Sequence, residues 1–295
     1  MDKEIRKINI GGRWVGEGEP TFVVAEIGIN HNGDLGIVKK LIDVAVLAGC
    51  DAVKFQKRTV ELVYSEEELS RPRENPFGPT NGDLKRGLEF GEAQYAEIDR
   101  YCKEKGVMWF ASPWDIESVD FLEKFNVPCY KIASASLVDD ELLKYVKSKN
   151  KPVIMSTGMS TPEQIDHAVD ILGQDNLILL HCTATYPSSI EELNLNVISW
   201  MRNKYNCPIG YSGHETGILQ PTLAVSLGAC VVEKHITLDR AMWGSDQAAS
   251  LEPDGLMKMT KYIRCTPLSM GDGVKKVYDS EKPIIEKLRK NIKTA

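Results

Sequence analysis

Residues 207–238, CPIGYSGHETGILQPTLAVSLGACVVEKHITL, contain two short apolar runs, and each run ends in a histidine beside other polar groups. The first run ends at His214 and the second at His235. In a parallel barrel, the carboxyl ends of neighbouring strands open at the same mouth. If the two runs are adjacent strands, their imidazoles therefore converge at a point where they could hold a divalent metal.

The same kind of run recurs along the whole chain. Eight apolar runs rich in β-branched residues begin at Phe22, Asp51, Val107, Cys129, Pro152, Leu177, Cys207 and Cys230. Most are separated by segments with apolar residues at spacings of three and four, such as residues 34–49 and 161–173. This alternation is typical of a parallel sheet covered by helices. Eight such units predict an α/β fold of the (β/α)8 TIM-barrel type, which needs about 250 residues.

A doubly wound open sheet is the alternative fold, because the order of the strands cannot be read from the sequence. Such sheets often carry a glycine-rich turn after the first strand that binds a dinucleotide. Residues 28–34, GINHNGD, follow the first predicted strand and lack that glycine spacing. The sequence therefore favours the barrel.

Three segments lie outside the eight units. Residues 1–20 predict an N-terminal β-hairpin that turns at Gly11–Gly12 and plugs the bottom of the barrel. Residues 59–91 form a long loop insertion rich in proline and glycine, which we expect to be a lid or an interface. Residues 271–295 predict a helical tail. Because no domain-sized linker appears, residues 1–295 are interpreted as a single barrel domain.

The composition, 42% hydrophobic and 26% charged, is that of an ordinary globular chain. No apolar stretch reaches the roughly 18 residues of a membrane helix, and the polar N-terminus does not resemble a signal peptide. The seven cysteines form no CxxC pair, and we interpret those in strands as reduced core residues of a cytoplasmic protein. A net charge of -6 argues against nucleic acid or an anionic membrane as a partner.

Every predicted strand ends in polar residues, which a barrel gathers at one mouth. These residues are Glu26, Asn30, His31, Lys54, Gln56, Ser112, Asp115, Lys131, Ser134, Ser156, Thr157, Thr183, Tyr186, Tyr211, Ser212, His214, Glu233 and His235. For a single Ser or Thr, contact with water explains the position equally well. Lys54 and Lys131 are costly to bury unpaired, so each must meet either an anionic ligand or an internal carboxylate.

Strand periodicity indicates which of these side chains share a face. Residues two apart in a strand point the same way, as Glu233 and His235 do, so both can point inward. His167 and His181 are interpreted as ordinary hydrogen-bonding residues, and His31 could have either role. His214 and His235 end consecutive runs, so we predict that they hold a metal with positions left for water, a carboxylate or substrate. Such an open site suits Lewis-acid chemistry on a carbonyl near a phosphorylated or carboxylated anion.

Several motifs, taken in register, resemble one known family. AEIGINHNGD, AVKFQ, YKIAS, MSTGM, HCTATYP, GYSGHE, VEKHITLD and SDQAASLEP occur in this order from about Thr21 to the C-terminus. Together they resemble the barrel domain of the N-acetylneuraminate (sialic acid) synthase family. The resemblance implies condensation of phosphoenolpyruvate with an N-acetylmannosamine-like aldose, with C–O cleavage, to give a 3-deoxy-2-ulosonic acid and phosphate. It also implies a divalent metal, Mn²⁺ first, with Mg²⁺ or Co²⁺ as alternatives.

The resemblance also implies roles for individual residues. It makes Glu26, Lys54, Lys131 and Glu233 the catalytic group, with Glu26 activating water or relaying a proton. His214 and His235 match the metal ligands. The residues that match substrate-binding positions are Gln56, Ser112, Ser134, Ser156, Tyr186, Ser212 and Asp246. The hydroxyls and lysines among these groups match the phosphoenolpyruvate side, whereas Gln56, Tyr186, Glu233 and Asp246 match the sugar side or its support.

Other features of the resemblance concern partners and alternatives. Family members usually carry an antifreeze-like domain after the barrel, and this sequence ends at Ala295 without one. Because family members are commonly dimers, the resemblance implies a homo-oligomer, taken as a dimer. Because the antifreeze-like domain is missing, we expect a lid from a separate protein or from residues 59–91. Ser136, Ala184, Gly213 and Gln247 differ from residues common in the family, so the acceptor sugar stays open. The alternatives are a Schiff-base lysine aldolase and a non-catalytic barrel that binds sugars or a partner.

Overall fold

A computed structural model describes residues 7–289 of the chain. The strands are β1 (Ile8–Ile10), β2 (Arg13–Val15), β3 (Phe22–Gly28), β4 (Ala52–Lys57), β5 (Pro72–Asn75), β6 (Gly78–Thr80), β7 (Met108–Pro113), β8 (Tyr130–Ile132), β9 (Val153–Ser156), β10 (Leu177–Cys182), β11 (Ile209–Gly213) and β12 (Val231–His235). The helices are α1 (Leu35–Leu47), α2 (Val60–Val63), α3 (Glu66–Ser70), α4 (Asn81–Leu88), α5 (Glu92–Lys105), α6 (Ile116–Glu123), α7 (Asp140–Ser148), α8 (Pro162–Leu172), α9 (Val197–Lys204), α10 (Leu219–Ser226), α11 (Pro253–Met270) and α12 (Lys282–Leu288).

Eight parallel strands form the central sheet in the order β7-β4-β3-β12-β11-β10-β9-β8. The two end strands of this order, β7 and β8, lie against one another and nearly close the sheet into a barrel. Each of the eight runs predicted from the sequence contains one of these strands, so the (β/α)8 fold is confirmed. The pairing of β3 with β12 joins the first and last barrel strands, which excludes the doubly wound alternative.

The helices cover the barrel because their apolar spacing matches one face. In α1, residues Val38, Leu41, Ile42 and Ala45 are buried at spacings of three and four. The Asp34 side chain caps this helix by accepting from the Gly36 and Ile37 amides. Strands such as β10 are buried along their whole length, as expected for a sheet covered by helices outside and packed inside.

The amino-terminal end of the barrel is closed by the hairpin of β1 and β2. Its turn is made by Gly11 and Gly12, whose φ angles of 56° and 92° favour glycine. Ile10 and Val15 are fully buried in the common core. A Cβ on Gly11 would lie 2.6 Å from the Met108 Sδ at the start of β7, so the turn packs closely against the barrel. The predicted hairpin is confirmed at residues 8–15, and residues 1–6 of the predicted segment lie outside the described residues.

The insertion at residues 59–91 is not an irregular loop. It contains α2, α3, the β5–β6 hairpin and α4, and Thr80 with Asp83 forms a capping box at the start of α4. Phe77 packs edge-on against Trp243, with ring centroids 6.5 Å apart. The insertion therefore lies at the carboxyl-terminal mouth. Its function as a lid or an interface stays a prediction.

Two further expectations concern the end of the chain and its cysteines. Residues 271–278 are irregular, and helix in the predicted tail covers Lys282–Leu288, while residues 290–295 lie outside the described residues. All seven cysteines are free thiols. Among residues 7–289, the structure has no helix with the length and apolarity that crossing a bilayer would require.

Candidate functional site

A buried polar pocket of about 170 Å³ lies where the barrel strands end. Twelve of the thirteen predicted site residues line it, and these are Glu26, Lys54, Gln56, Ser112, Lys131, Ser134, Ser156, Tyr186, Ser212, His214, Glu233 and His235. Asp246 is the exception, because its Oδ2 lies outside the lining at 3.8 Å from His235 Nδ1. The structure therefore brings together the side chains that the sequence places at separate strand ends.

Sheet register aligns three of these side chains in one row. His235 on β12 pairs with Glu26 on β3, and Glu26 pairs with Lys54 on β4, so all three face the pocket. Lys54 Nζ lies 2.9 Å from Glu26 Oε1. Gln56 Nε2 donates to the same Glu26 oxygen at 3.1 Å. The Glu26 carboxylate is therefore held firmly by one of its two oxygens.

Glu233 lies between the two buried lysines. Its Oε1 is 3.7 Å from Lys54 Nζ and 3.8 Å from Lys131 Nζ, and it accepts a hydrogen bond from Ser212 Oγ at 3.2 Å. Lys131 Nζ also donates to Ser156 Oγ at 2.7 Å. Both lysines thus have internal counter-charges, as the second of the two alternatives describes, and the anionic ligand of the first alternative stays a prediction. An additional anionic ligand is compatible with this arrangement, because two ammonium groups surround one Glu233 oxygen.

Three buried polar atoms of this pocket have no hydrogen-bond partner. They are Glu26 Oε2, Glu233 Oε2 and His235 Nδ1. A buried polar atom without a partner costs about 1–3 kcal/mol, and native proteins contain few of them. Their convergence on one cavity indicates that a ligand completes the site.

Burial and neighbouring charges shift the pKa values of the two pocket carboxyls, Glu26 and Glu233, in opposite directions. Burial raises the pKa of Glu26 to about 7, with Glu233 adding to the effect and Lys54 opposing it. Burial would also raise the pKa of Glu233, but Lys131 and Lys54 outweigh burial and lower it. Burial lowers the pKa of Lys131. Glu233 is therefore ionised at neutral pH, whereas Glu26 can gain or lose a proton there.

The two imidazoles are neutral and close together. Their ring centroids are 5.4 Å apart, and burial lowers the pKa of each to about 3. His214 Nδ1 lies 2.7 Å from the Thr183 carbonyl, which assigns its proton to Nδ1 and leaves a lone pair on Nε2, 2.8 Å from the Tyr186 hydroxyl. Within the described chain no group of three His, Cys, Asp or Glu is spaced for a metal. Two neutral imidazoles, one with an unpartnered nitrogen, nevertheless fit a cation whose other positions are open.

Sequence reasoning missed Cys182, which it placed in the core. The thiol lines the pocket instead, with Sγ 3.7 Å from His214 Nδ1 and 3.6 Å from Ser134 Oγ. The two-residue period puts Cys182 and its neighbour His181 on opposite faces of β10, and the pairing of Cys182 with the inward-facing Ser212 shows that Cys182 faces the pocket. The remaining side chains that line the pocket and were not predicted as site residues are Trp114, Ala133, Ala135, Met159 and Ala184.

Some polar residues at strand ends have structural roles outside the pocket. His31 stacks on Phe90 with centroids 4.3 Å apart and accepts the Gly33 amide at 3.0 Å, so it is a packing residue. Asn30 donates to the Ile236 carbonyl at 2.9 Å, and Asp115 caps α6. His181 bonds the Leu193 carbonyl at 2.6 Å, and His167 lies 3.0 Å from Asp140 on the surface. The ordinary hydrogen-bonding interpretation of these two histidines is confirmed.

A parallel barrel whose strand ends gather lysines, carboxylates and neutral imidazoles in one pocket defines the class of barrel enzymes with chemistry at the carboxyl-terminal face. The chain belongs to the NeuB family, whose profile matches residues 41–275. This is a family of enzymes, the phosphoenolpyruvate-dependent nonulosonic acid synthases.

Individual relatives agree with this membership. The chain is 40% identical to the N-acetylneuraminate-9-phosphate synthase of Homo sapiens over 286 residues, which is 95% of this chain and 80% of that protein. It is 36% identical to the N,N'-diacetyllegionaminic acid synthase of Legionella pneumophila over 297 residues, covering 97% and 83% of the two chains. A crystal structure of N-acetylneuraminic acid synthetase from Leptospira borgpetersenii, in complex with citrate, superposes with a TM-score of 0.85 at 31% identity and covers 99% of both chains.

Proposed function

We propose that this protein condenses phosphoenolpyruvate with an N-acetylmannosamine-like aldose to give a sialic-acid-like 3-deoxy-2-ulosonic acid and phosphate. The observation that carries the proposal is the pocket itself. Two buried ammonium groups lie beside four serine hydroxyls, a titratable glutamate and two neutral imidazoles. This set can bind a doubly anionic substrate at one end and a carbonyl at the other.

The lysine side of the pocket binds phosphoenolpyruvate. Lys54 and Lys131 supply positive charge, and their present partners Ser112 and Ser156 supply hydroxyls at 3.2 Å and 2.7 Å from the two ammonium groups. Ser134 and Ser212 add further donors to the phosphate and carboxylate oxygens. Burial strengthens each of these contacts, because little water competes for the anion.

Glu26 and Glu233 have different roles in the reaction. The new bond joins C3 of phosphoenolpyruvate to the aldehyde carbon, water adds to C2, and cleavage of the C2–O bond releases phosphate. Glu26 takes the proton of the attacking water, because its pKa of about 7 lets it serve as base and then as acid. Glu233 remains ionised and stabilises positive charge that develops at C2.

The imidazole side of the pocket holds the metal, for which we propose Mn²⁺. His214 and His235 would bind it through neutral nitrogens, and the bound ion would polarise the aldehyde oxygen as a Lewis acid. Asp246 Oδ2, 3.8 Å from His235 Nδ1, is the nearby carboxylate and orients the imidazole or the sugar. Gln56 and Tyr186 line the same end and contact the acceptor sugar. A homodimer, a lid and a cytoplasmic location remain parts of this proposal.

A Schiff-base aldolase is the second candidate, because burial lowers the pKa of Lys131, as amine nucleophiles require. The geometry disfavours it. The Lys131 ammonium donates to Ser156 Oγ at 2.7 Å and to the Ile132 carbonyl at 3.1 Å, and it lies beside Glu233, all of which stabilise the protonated form. Borohydride treatment with pyruvate distinguishes the two functions, since only the aldolase would form a trapped adduct.

Incubation of the purified protein with phosphoenolpyruvate, Mn²⁺ and a panel of six-carbon aldoses tests the proposal. We expect phosphate release that needs both an aldose and the metal, together with a product whose mass equals the aldose plus the three-carbon keto acid unit. Chelator-treated protein is the control. Phosphate release that ignores the aldose, or a pyruvate adduct on a lysine, would contradict the proposal.

A further inference from the structure

Arg58 lies directly behind the catalytic pocket. It follows the last residue of β4, and Gln56, two residues earlier in the chain, lines the pocket. Within residues 7–289, the side chains that line the pocket do not include Arg58. The Arg58 side chain is nevertheless largely buried, with 10% of its surface exposed. Arg58 can therefore act on the pocket through the residues that it contacts.

The Arg58 guanidinium is held in one plane by two neighbours. Its Nη1 donates to Glu89 Oε1 at 3.3 Å, and the Arg58 backbone amide donates to Glu89 Oε2 at 3.2 Å. The guanidinium carbon lies 4.4 Å from the centre of the Trp114 ring, as in a cation–π contact. In the described part of the chain, Arg58 Nε has no hydrogen-bond partner. The guanidinium therefore acts through its two terminal nitrogens, whose directions are fixed.

The second terminal nitrogen determines how the Gln56 amide is turned. Arg58 Nη2 donates to Gln56 Oε1, and Gln56 Nε2 donates to Glu26 Oε1 at 3.1 Å. A glutamine amide that turns by 180° exchanges its donor and its acceptor with little change of shape. Because a guanidinium has only donors, it pairs with the amide oxygen and not with the amide nitrogen. Arg58 therefore selects the orientation in which the Gln56 nitrogen faces Glu26.

This orientation affects the Glu26 carboxylate. In the opposite orientation, the Gln56 oxygen would face a carboxylate oxygen, and neither atom could donate. The space is also confined, because a Cβ on Gly28 would lie 3.1 Å from Glu26 Oε1 and 3.3 Å from Gln56 Nε2. With the amide turned as observed, Gln56 and Lys54 both hold Glu26 Oε1. Glu26 Oε2 has no partner among the described residues and stays available to a water molecule.

We propose that Arg58 is a positioning residue, which holds the Gln56 amide turned toward Glu26 and thereby fixes the carboxylate that takes the proton of water. The inference rests on the proposed function and deepens it, because it gives a role in the reaction to a side chain behind the pocket. Arg58 acts through Gln56. Loss of Arg58 lets the amide turn and lowers kcat, whereas the lysine side, which binds phosphoenolpyruvate, is unaffected.

A double-mutant cycle tests this inference, with kcat measured as phosphate release from phosphoenolpyruvate, Mn²⁺ and the best aldose of the panel. We expect Arg58→Met and Gln56→Met each to lower kcat about 10- to 100-fold, because a hydrogen bond to a charged group is lost or misdirected. In the Gln56→Met background, Arg58→Met should change kcat by less than about twofold, since the amide through which it acts is already absent. KM for phosphoenolpyruvate should stay the same throughout.

Lys57→Met is the matched control. Lys57 Nζ pairs with the same carboxylate, at 3.2 Å from Glu89 Oε2, but its other hydrogen bonds go to the Arg58 and Phe90 carbonyls and not to the Gln56 amide. Its kcat should therefore stay within about twofold of the parent. Additive effects of Arg58→Met and Gln56→Met would overturn the inference, and so would a loss in Lys57→Met as large as that in Arg58→Met.

Arg58→Lys serves if Arg58→Met does not fold. It keeps a positive charge beside Glu89, so the unfolding midpoint should match that of the parent. A single ammonium lacks the planar fork that joins the Gln56 amide to Glu89, so we expect a loss of kcat like that of Arg58→Met. Full activity in folded Arg58→Lys would show that charge alone is sufficient and would overturn the positioning role.

NMR of the Gln56 side chain separates this inference from the proposed function, because it needs no turnover. In protein labelled with ¹⁵N at glutamine, the Gln56 amide signals are identified by their absence in Gln56→Met. We expect these signals to shift, and to exchange faster with water, in Arg58→Met but not in Lys57→Met. If no aldose releases phosphate, the proposed reaction fails. If the Gln56 signals are the same in Arg58→Met as in the parent, the positioning role fails, whether or not the reaction occurs.

Discussion

Two buried charge clusters lie on opposite faces of one strand, β12, and they differ in how completely they are paired. On the outer face, Lys234 Nζ is 2.9 Å from Glu215 Oε1, and Glu215 Oε2 accepts from the Tyr211 hydroxyl at 2.7 Å. On the inner face, Glu233 shares one oxygen with two lysines at 3.7 Å and 3.8 Å, and its other oxygen has no partner. Each Glu215 oxygen of the outer cluster therefore has an ion pair or a hydrogen bond, whereas one Glu233 oxygen of the inner cluster has neither, and we call the inner cluster open for this reason.

The difference indicates which buried charges stabilise the fold and which bind a ligand. Both clusters lie between apolar neighbours and cost desolvation energy. The outer cluster recovers more of that cost within the protein. Glu215 Oε1 accepts no hydrogen bond but lies 2.9 Å from the Lys234 ammonium, Glu215 Oε2 accepts from Tyr211, and the ammonium donates to the Glu215 carbonyl. The inner cluster recovers it only in part, because Lys54 and Lys131 share one Glu233 oxygen while the other Glu233 oxygen has no partner. Substitutions should therefore affect stability at the outer face and binding or turnover at the inner face.

His235→Ala should have the largest effect and should act on turnover alone. Loss of one of two imidazoles removes metal affinity, and the missing Lewis acid is worth several kcal/mol, roughly a ten-thousandfold decrease in kcat. The unfolding midpoint should change little, because the side chain ends a strand at the pocket. Calorimetric titration with Mn²⁺ measures the metal affinity, and phosphate release measures kcat. Activity that survives in the chelator-treated variant would refute the metal assignment.

Lys234→Met should have the next largest effect and should act on stability. It leaves the Glu215 carboxylate buried without its counter-charge, which we expect to lower the free energy of unfolding by about 3–5 kcal/mol. Urea unfolding followed by circular dichroism measures it. The double variant Lys234→Met, Glu215→Gln is the control and should recover much of the loss. A single variant within about 1 kcal/mol of the parent would mean that the outer cluster does not stabilise the fold.

Lys131→Met tests the inner face with the same chemical change. Stability should stay within about 1 kcal/mol of the parent, because Lys54 still lies 3.7 Å from Glu233. Affinity for phosphoenolpyruvate should fall by about 2–3 kcal/mol, roughly 30- to 150-fold, since a charge-assisted contact is lost. Isothermal calorimetry with phosphoenolpyruvate measures the loss. Unchanged affinity combined with a stability loss like that of Lys234→Met would erase the distinction between the two faces.

Gly11→Ala should have the smallest effect. It measures how much stability a substitution costs in a region outside both charge clusters. Its φ of 56° and the 2.6 Å approach of a Cβ to Met108 Sδ should cost about 1–2 kcal/mol of stability, with kcat unchanged. Gly12→Ala separates strain from contact, because φ is 92° there and nothing lies within 4 Å of the added Cβ. Thermal unfolding shows which of the two variants is less stable. The hairpin lies at the end of the barrel opposite the pocket, so a loss of kcat in folded Gly11→Ala would contradict this prediction.

The fold was predictable because its signal repeats. Each barrel strand is a continuous apolar run, so eight runs could be counted without knowing which strands pair. The two-residue period placed Glu233 and His235 on one face correctly. The insertion was harder, because its helices are short; α3, for example, buries no residue and therefore has no apolar stripe to detect.

The details of the site depend on register, which the sequence does not encode locally. Lys54 meets Glu26 because β3 and β4 pair at these residues, 28 positions apart in the chain. Cys182 and His181 are neighbours in β10, yet only knowledge of the pairing with Ser212 shows which of them faces the pocket. The sequence gives no sign of the Lys234–Glu215 pair for the same reason, since Lys234 lies in β12 and Glu215 lies two residues after β11. Long-range strand pairing therefore decides which buried charged groups have partners within the protein and which do not.

The most direct measurement of the central claim uses phosphoenolpyruvate with heavy oxygen in the bridging position between C2 and phosphorus. If the open cluster condenses this substrate with an aldose and cleaves the C–O bond, the label appears in inorganic phosphate, and only when both aldose and Mn²⁺ are present. Label that remains in the keto acid product, or a borohydride-trapped pyruvate adduct on Lys131 without phosphate release, would contradict the account.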